Sequence, residues 1–510
     1  MLAAFLWTAE GVHQIKLSEA KLTTVLILFL LTAAALLVHG YHPYAEDAEI
    51  YLPGIERILN PRLFPVGTAF FQSHASLTLF PNLVAFSLRV SHLPFAVGLF
   101  LWHVTSIFLL LLACWELSCL CFASARARWA AVALVASLLT IPVAGTALYI
   151  TDQYLNPRNL AAGAAVFAVA RALQAKYLRA LLWVLLAASV HPLMWVFPFS
   201  FCALLMVMNR FDARTREGLH SAPRNALLAG LLLLIPLAPK STPAYHEAAK
   251  LHGYIYIQDW AWYEMVGLIA PLALFWWFAR IARSKGGTNV ERLCRAFIVY
   301  DLIYIGVALV VDLPARFEVL ARLQPLRCLH LLYIVMFLVT GGLLGEFVLK
   351  DRMWRGLAMF VPLSVGMFAA QRALFPASAA VEWPWQAPKN PWAQAFVWVR
   401  QSTDEHAIFA LDPAYMRIAG EDEIGFRCLA QRSRLADAIK DNGVVSMFPL
   451  LAEEWWTQVQ DQSPWKNLTV EKCEQLRLKY GATWVIVQQP GIAGLDCPYQ
   501  NSAVRVCRIP

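Results

Sequence analysis

Long apolar runs separated by short charged segments fill the first three quarters of the chain. The first run covers residues 22–38 and follows Lys16 and Lys21. A helix needs about 20 mostly apolar residues to cross a bilayer, and the later runs are of this length or somewhat shorter. They lie at 93–122, 129–150, 159–175, 178–193, 195–208, 225–239, 261–282, 295–312, 327–349 and 354–374. The pattern predicts an α-helical polytopic membrane protein with about eleven transmembrane helices.

Residues 178–208 decide how these helices alternate across the membrane. The run is too long for one helix and short for two, and Pro192 and Pro198 lie within it. Because proline removes a hydrogen bond from a helix interior, we expect a tight hairpin that turns near His191–Pro192. With that turn, the basic segments between the runs all fall on one side. Basic segments stay in the cytoplasm, which predicts a cytoplasmic N-terminus and an outer first loop at residues 39–92.

The composition agrees with a membrane protein. Hydrophobic residues make up 59% of the chain and charged residues 15%, whereas soluble domains carry about 25% charged residues. The net charge of +8 comes from residues 1–375, because residues 376–510 hold 13 Lys/Arg against 15 Asp/Glu. No polybasic run indicates nucleic acid as a partner. The positive charge therefore reflects topology, and we expect a multi-pass protein of a plasma membrane, such as the bacterial inner membrane.

A polar C-terminal part begins at residue 376. Its amphipathic helix patterns lie at 390–402, 427–440 and 471–480, and its strand patterns at 407–411 and 483–489. These patterns predict a small α/β or α+β domain over residues 376–510, outside the cytoplasm, behind a transmembrane domain over residues 1–375. In that compartment a pair such as Cys497 and Cys507 can be oxidised, although the sequence does not assign the pairing.

Charged residues follow one another in the helical pattern at 427–440. Asp437 lies three residues from both Arg434 and Lys440, a spacing that brings side chains together on a helix. The pattern predicts ordinary pairs on the surface of that helix.

A cluster of acids opens the first loop. Glu46, Asp47 and Glu49 stand just after the first apolar run, and Ile50 and Ile55 then follow at helical spacing. We expect a short amphipathic helix along the membrane surface. Two interpretations of Asp47 are open: the carboxylate caps this helix, or it takes part in chemistry.

The chain resembles the GT-C glycosyltransferases, polytopic enzymes that use lipid-phosphate-linked sugars and include protein mannosyltransferases and aminoarabinose transferases. The first loop carries Asp47-Ala48-Glu49-Ile50-Tyr51, similar to the D-x-x-x-Y motif of the family. Helical hairpins and an outer soluble domain follow. That domain begins with a similar stretch, WAQAFVWVRQSTDEHAIFALDP (392–413), and ends with YGATWVIVQQ (480–489). Many relatives have D-E where this chain has E-D.

The resemblance implies transfer of a sugar from a polyprenyl-phosphate carrier to a glycan, lipid or protein outside the cytoplasm. In the family, the first-loop carboxylate acts as a base or orients the acceptor. By position this role falls on Asp47, with Glu46 as the competitor and Tyr51 completing the motif. An acceptor hydroxyl is a poor nucleophile unless its proton is taken or held during attack.

Cations must then hold the lipid phosphate near the membrane surface. Arg316 and Arg327 are the first candidates, followed by Arg158 and Lys240. For each of them an alternative role is open, in which the charged end of the side chain extends to the lipid headgroups and binds no substrate.

Three histidines are further candidates. His191 and His330 lie within or near apolar runs, where a histidine usually packs through hydrogen bonds but can also bind phosphate or acceptor. His42 precedes the acids and can join them at a divalent cation, which some members of the family require. Carboxylates of a second loop, Asp152 or Asp312, would then complete the ligand set.

Two other functions are compatible with the sequence: a transporter or flippase, and a catalytically silent membrane protein of the same fold. Transporters commonly show paired repeats and ionisable residues at the membrane midplane. The sequence shows no repeat, and a soluble domain of this size has no evident use in a transporter.

Overall fold

The computed structural model describes residues 2–216, 241–312 and 317–510. Within these ranges, six helices are long and apolar enough to cross a membrane, and two shorter apolar helices, Tyr177–Val190 and Val196–Arg210, accompany them. The prediction of a multi-pass membrane protein is confirmed at this coarser level, while the count of eleven is not. The span expected at 225–239 and the candidates Lys240 and Arg316 lie outside the described residues. The six spans are Lys21–His39, Phe95–Cys121, Trp262–Ser284, Thr288–Asp312, Glu318–Leu349 and Met353–Leu374.

Fifteen α-helices precede the C-terminal domain within the described ranges. They are α1 (Leu2–His39), α2 (Ala48–Leu59), α3 (Ala69–Ala75), α4 (Phe80–Ser91), α5 (Phe95–Cys121), α6 (Ala125–Ser137), α7 (Pro157–Leu173), α8 (Tyr177–Val190), α9 (Val196–Arg216), α10 (Pro243–Lys250), α11 (Trp262–Ser284), α12 (Thr288–Asp312), α13 (Glu318–Ala321), α14 (Leu329–Leu344) and α15 (Met353–Leu374).

The predicted turn at His191–Pro192 is confirmed. Helix α8 ends at Val190 and α9 begins at Val196, so the two helices form a hairpin. The indole N–H of Trp195 donates to the carbonyl of Pro192 (2.9 Å) and closes the turn.

The span predicted at 129–150 is wrong. Helix α6 ends at Ser137, because the ring of Pro142 would clash with the carbonyl four residues earlier and proline has no N–H to continue the helix. Residues 138–156 instead form an irregular segment, in which the N–H of Val143 donates to the carbonyl of Leu148 (2.8 Å). A transmembrane helix would have exposed the polar side chains of this segment to lipid. In the irregular segment they can line a cavity instead.

Helix α2 of the first loop is confirmed, but it does not lie open on a surface. Leu52 and Ile55 are fully buried, and even Glu49 and Glu56 are only 1% and 2% exposed. The helix packs against α3 and α4 on one side and against the C-terminal domain on another. Its carboxylates therefore need partners inside the protein.

The C-terminal domain is built on one mixed five-stranded sheet with the strand order β2-β1-β3-β5-β4. Strand β1 is parallel to β2 and β3, while β5 is antiparallel to β3 and β4. The strands confirm both strand patterns of the sequence. They are β1 (Ile408–Leu411), β2 (Ser433–Arg434), β3 (Trp484–Gln488), β4 (Tyr499–Gln500) and β5 (Val504–Arg508).

Helices cover both faces of this sheet because strand side chains alternate between faces. Phe409 packs under α16, whereas Ala410 packs with α20. Cys497 and Cys507 form a disulfide at the sheet edge, one of the pairings that the sequence left open. The helices of the domain are α16 (Pro391–Ser402), α17 (Phe426–Ala430), α18 (Lys440–Met447), α19 (Ala452–Asp461) and α20 (Val470–Tyr480).

The helix predicted at 427–440 is wrong. Helix α17 stops at Ala430, β2 follows, and α18 begins only at Lys440. The side chain of Asp437 accepts hydrogen bonds from the backbone N–H groups of Ile439 (2.6 Å) and Lys440 (2.5 Å). Such bonds satisfy the free N–H groups at a helix start, so Asp437 fixes where α18 begins.

Candidate functional site

A cavity of about 310 Å³ lies between the first loop, the segment 138–156 and the C-terminal domain. We call it the charged cavity, because five acidic side chains and four Lys or Arg side chains line it. Apolar side chains, among them Ile50 and Phe375, form the rest of the wall. Its size is at the lower end of the ~300–1,000 Å³ of small-molecule pockets. The charged lining residues are Glu46, Asp47, Asp152, Asp422, Glu423, Arg158, Arg327, Arg417 and Lys440.

Asp47 faces this cavity and does not cap α2. Its side chain makes no capping hydrogen bond, so the capping interpretation is wrong. Its carboxylate instead accepts a hydrogen bond from Nζ of Lys440 (3.2 Å), and its backbone N–H donates to the hydroxyl of Tyr154 (3.3 Å). The side chain keeps 31% of its surface exposed, which leaves an oxygen accessible to a ligand.

The pKa of Asp47 lies below its ordinary value. Burial alone would raise this pKa, but the positive charges of Lys440, Arg158 and Arg327, together with the hydrogen bond from Lys440, lower it by more. The carboxylate is therefore ionised at neutral pH and available to accept a hydrogen bond or a proton.

Lys440 connects the two acids of the first loop. Its ammonium group pairs with Glu46 as well as with Asp47. The two carboxylates raise the pKa of Lys440 despite its burial, so the lysine stays charged. A residue of the C-terminal domain thereby holds the acids of the first loop in place.

Three of the acidic residues that line the charged cavity have a left-handed backbone conformation, which is unfavourable for residues other than glycine. The φ angles are 56° at Glu46, 62° at Asp422 and 49° at Glu423. The N–H of Glu46 donates to the carbonyl of Glu423 (3.0 Å) and holds the two segments together. Such conformations cost about 1–3 kcal/mol each and cluster at functional sites. Their concentration around one cavity supports a ligand-binding role.

Glu423 stands beside Glu46 in the charged cavity. Burial and the negative charge of Glu46 raise the pKa of Glu423 to about 7. Near neutral pH this carboxyl group is therefore only partly ionised.

Arg158 is held by a carboxylate on its own side of the cavity. It is 4% exposed, and its Nη2 donates to both oxygens of Asp152 (2.6 and 2.8 Å). Its Nε is buried, and among the described residues it has no hydrogen-bond partner. The structure thus brings this candidate to the cavity, with part of its donor capacity unused.

Among the predicted phosphate-binding cations that the structure describes, Arg327 has the fewest ion pairs and hydrogen bonds. It lies in the turn Pro325–Cys328 before α14, and within residues 2–216, 241–312 and 317–510 its guanidinium has no ion pair and no hydrogen bond. Arg417, at the rim, likewise has no partner among the described side chains. Burying an unpaired charge is costly unless an opposite charge accompanies it. An anionic ligand satisfies this requirement.

Three predicted residues do not line the charged cavity. Nδ1 of His191 accepts the backbone N–H groups of Leu193 and Met194 (both 3.2 Å), which stabilises the turn before α9. His330 bonds through Nε2 to the carbonyl of Ile150 (3.0 Å). Both histidines have packing roles. Tyr51 packs edge-on against His74 and Phe80.

His42 turns away from the acids. Its ring bonds to Glu382 (3.1 Å) and Gln371 (2.7 Å) and stacks on Phe375, so it does not join Asp47 at a cation. The ammonium of Lys440 fills the place between Glu46 and Asp47 where a metal would bind. Within the described ranges, no group of three or more His, Cys, Asp or Glu side chains is arranged to hold a metal ion.

A second set of charges ties the first loop to the C-terminal domain. We call it the buried network; it contains Glu49, Arg427, Arg434, Asp437 and Asp441. Arg427 donates two parallel hydrogen bonds to Asp441 (2.7 and 2.8 Å), and Arg434 forms ion pairs with Glu49 (3.1 Å) and with Asp437. All five side chains are at most 2% exposed. The prediction of ordinary surface pairs at Asp437 is therefore wrong.

The sequence did not single out Lys440, Arg417 or Glu423 as site residues. All three stand in the C-terminal domain, more than 360 residues from Asp47, and no local motif marks them. Comparisons of the chain with protein-family models and with curated proteins gave no match.

Proposed function

We propose that this protein is a membrane glycosyltransferase of the GT-C type, with the charged cavity as its active site. It moves a sugar from a polyprenyl-phosphate carrier to a glycan, lipid or protein acceptor. The observation that carries the proposal is the placement of an ionised Asp47 and an unpaired Arg327 around one cavity. Asp47 can accept the proton that the acceptor nucleophile must lose, and Arg327 can bind the phosphate of the donor.

The transfer proceeds by displacement at the anomeric carbon. The acceptor hydroxyl oxygen forms a bond to C1 of the sugar while the bond from C1 to the phosphate oxygen breaks. Polyprenyl phosphate leaves with the electron pair, and the hydroxyl proton moves to Asp47. Arg327 and the free Nε of Arg158 stabilise the negative charge that grows on the phosphate.

Lys440 keeps Asp47 ionised and oriented, so its replacement is expected to shift the pH dependence of transfer. Because Lys440 lowers the pKa of Asp47, Lys440→Met raises that pKa. The acidic limb of the kcat/KM profile then moves to higher pH. Measuring the profile from pH 4 to 8 checks this expectation, and Lys440→Arg, which keeps the charge, should leave the limb near its wild-type position. An unmoved limb in Lys440→Met would contradict the assignment.

Arg327→Met is expected to weaken donor binding. The side chain has no partner in the described structure to lose, so the protein should stay folded. A charge-assisted contact to phosphate is worth about 1.5–3 kcal/mol, which predicts a rise of roughly ten- to a hundredfold in the KM for the donor. Steady-state kinetics with varied donor measures it. An unchanged KM would remove Arg327 from the donor site.

The proposed topology places the charged cavity and the C-terminal domain outside the cytoplasm, with the N-terminus inside. Two features support it: the disulfide between Cys497 and Cys507, since disulfides persist in oxidising compartments, and the basic segment around Arg352 at the opposite ends of the helices.

Cysteine labelling in intact spheroplasts tests this topology. In a background with Cys119 and Cys121 changed to serine, Leu450→Cys, at a 98% exposed position of the C-terminal domain, should react with a membrane-impermeant maleimide. Met353→Cys, 81% exposed at the start of α15, should react only after permeabilisation. The reverse pattern would overturn the orientation.

The catalytic proposal is tested by the release of free polyprenyl phosphate. Purified protein is given a panel of polyprenyl-phosphate sugars with a mixed pool of envelope acceptors, and the products are followed by mass spectrometry. Release that depends on both donor and acceptor is expected. No release from any donor would count against the proposal.

One observation favours a transporter as the second candidate. Asp301 is fully buried in α12, a candidate membrane span, and neither carboxylate oxygen has a partner within the described residues. Ionisable residues inside a membrane often serve transport. Movement of a lipid-linked sugar across proteoliposomes that Asp301→Asn abolishes would favour this alternative.

A further inference from the structure

A second cavity, of about 220 Å³, lies on the other side of the first loop. We call it the aromatic cavity. It opens between the start of α5, residues 379–389 and helices α16 and α17. Residues 41–47 form the wall between the two cavities, because Tyr41 and Tyr44 line the aromatic cavity while Glu46 and Asp47 line the charged cavity.

Aromatic and hydrogen-bonding side chains share the lining of this cavity. The aromatic residues are Tyr41, Tyr44, Phe95 and Trp383, and the polar ones include Glu382, Gln386, Arg400 and Gln431. Pockets of this kind, with aromatic walls and a few convergent polar groups, bind small ligands. The volume falls below the ~300–1,000 Å³ of pockets for drug-sized ligands, which fits a single sugar ring.

Arg400 gives the cavity a preference for negative charge. The Arg400 side chain is half-buried. Within the described part of the chain, its guanidinium has no ion pair and no hydrogen bond. Glu382, the acid in the lining, is engaged by the ring of His42 (3.1 Å). A guanidinium binds carboxylate or phosphate through parallel hydrogen bonds, so the arginine has the geometry to select an acidic ligand.

The hydroxyl groups of a sugar find matching partners in the same cavity. The carboxylate of Glu382 accepts hydrogen bonds, and the amide of Gln386 both donates and accepts them. The amide nitrogen of Gln431 already donates to Glu56 (3.0 Å), which leaves its oxygen as an acceptor. Trp383 is held by packing against Phe100 (5.6 Å between ring centres) and by stacking on Trp385 (5.3 Å). A ring fixed in this way presents a ready apolar surface for the face of a sugar.

We infer that the aromatic cavity binds a monosaccharide unit that carries a negatively charged group, a carboxylate or a phosphate. Arg400 pairs with that group, and Trp383 packs against the sugar ring. The inference rests on the proposed function in one respect: the bound unit would belong to the acceptor. Residues 41–47 would then separate this unit from the side of the loop that carries the Asp47 carboxylate. Binding itself does not depend on transfer.

Saturation-transfer NMR on the purified full-length protein tests the inference with three probes: glucuronic acid, glucose 1-phosphate and glucose. Signal from the two acidic sugars is expected, and glucose should give much less. In the background of Arg327→Met, which removes the phosphate contact of the charged cavity, the signal of the acidic sugars should fall at least fivefold in Arg400→Met and in Trp383→Leu. If only one acidic sugar binds, the result identifies the charged group as carboxylate or phosphate.

Two control variants separate this cavity from the charged cavity. Arg508→Met removes an exposed arginine of the same domain, and Arg327→Met alters the donor site; both should keep the signal of glucuronic acid. Retention when Arg400→Met is added to Arg327→Met, loss in Arg327→Met alone, equal signal from glucose, or no signal from any probe would each overturn the inference. Thermal unfolding of each variant confirms that the protein is folded. Failure of the transfer assay alone would leave these results unaffected.

Discussion

Asp47→Asn is expected to reduce sugar transfer by a factor of about 10²–10⁴, the usual contribution of a positioned general base. The asparagine keeps the shape of the side chain and a hydrogen-bond acceptor for Lys440, but it cannot take the proton of the acceptor hydroxyl. Because Glu46 also pairs with Lys440, the contact between the first loop and the C-terminal domain should survive. The measurement is the initial rate of polyprenyl phosphate release at saturating donor.

Glu46→Gln is the matched control for this change. Both acids bind Lys440, so the two variants lose the same kind of charge next to the same lysine. A large loss in Asp47→Asn with a much smaller loss in Glu46→Gln would assign the base to Asp47. The opposite ranking would move the role to Glu46, and equal rates in both variants and wild type would place the base elsewhere.

Arg427→Met is expected to destabilise the C-terminal domain and its contact with the first loop. The change leaves Asp441 and Glu49 buried without their shared cation, and removing one partner of a buried pair costs about 3–5 kcal/mol. For a domain of this size that lowers the midpoint of thermal unfolding by roughly 10 °C or more. Tryptophan fluorescence of the purified protein during heating measures the midpoint.

Arg508→Met provides the comparison for that experiment. Arg508 pairs with Asp496 at 3.2 Å, but both side chains are more than 60% exposed. An exposed pair contributes about 0–1 kcal/mol, so this variant should unfold close to the wild-type temperature. If Arg427→Met unfolded there as well, the buried network would have no role in joining the two parts.

The membrane helices and the sheet could be predicted because their signals are local. Apolar runs such as 354–374 and the strand pattern at 483–489 carry their periodicity within a few residues. The two wrong helices failed for different physical reasons, one local and one not. At 138–156 a proline ended the apolar helix and released polar residues into a cavity, and at 427–440 the charges turned inward to meet Glu49.

The site was predictable only in part. Asp47 and Glu46 could be named from the resemblance of the first loop to a family motif, and Arg158 and Arg327 as cations that such a family would need near the membrane surface; the structure brings these four around one cavity. Lys440 could not be named, since its partners lie almost 400 residues away. For His191 and His330 the sequence offered packing or ligand binding, and the structure shows hydrogen bonds to backbone groups, which need partners when they are buried.

The stoichiometry of transfer tests the central claim most directly. Purified protein in proteoliposomes is given one polyprenyl-phosphate sugar and its acceptor, and both the free polyprenyl phosphate and the glycosylated acceptor are counted by mass spectrometry. We expect one polyprenyl phosphate for each sugar on the acceptor, and a fall of about 10²–10⁴-fold in the rate at which both products form in Asp47→Asn. Movement of intact donor across the membrane without release of polyprenyl phosphate would contradict a transferase and indicate a transporter.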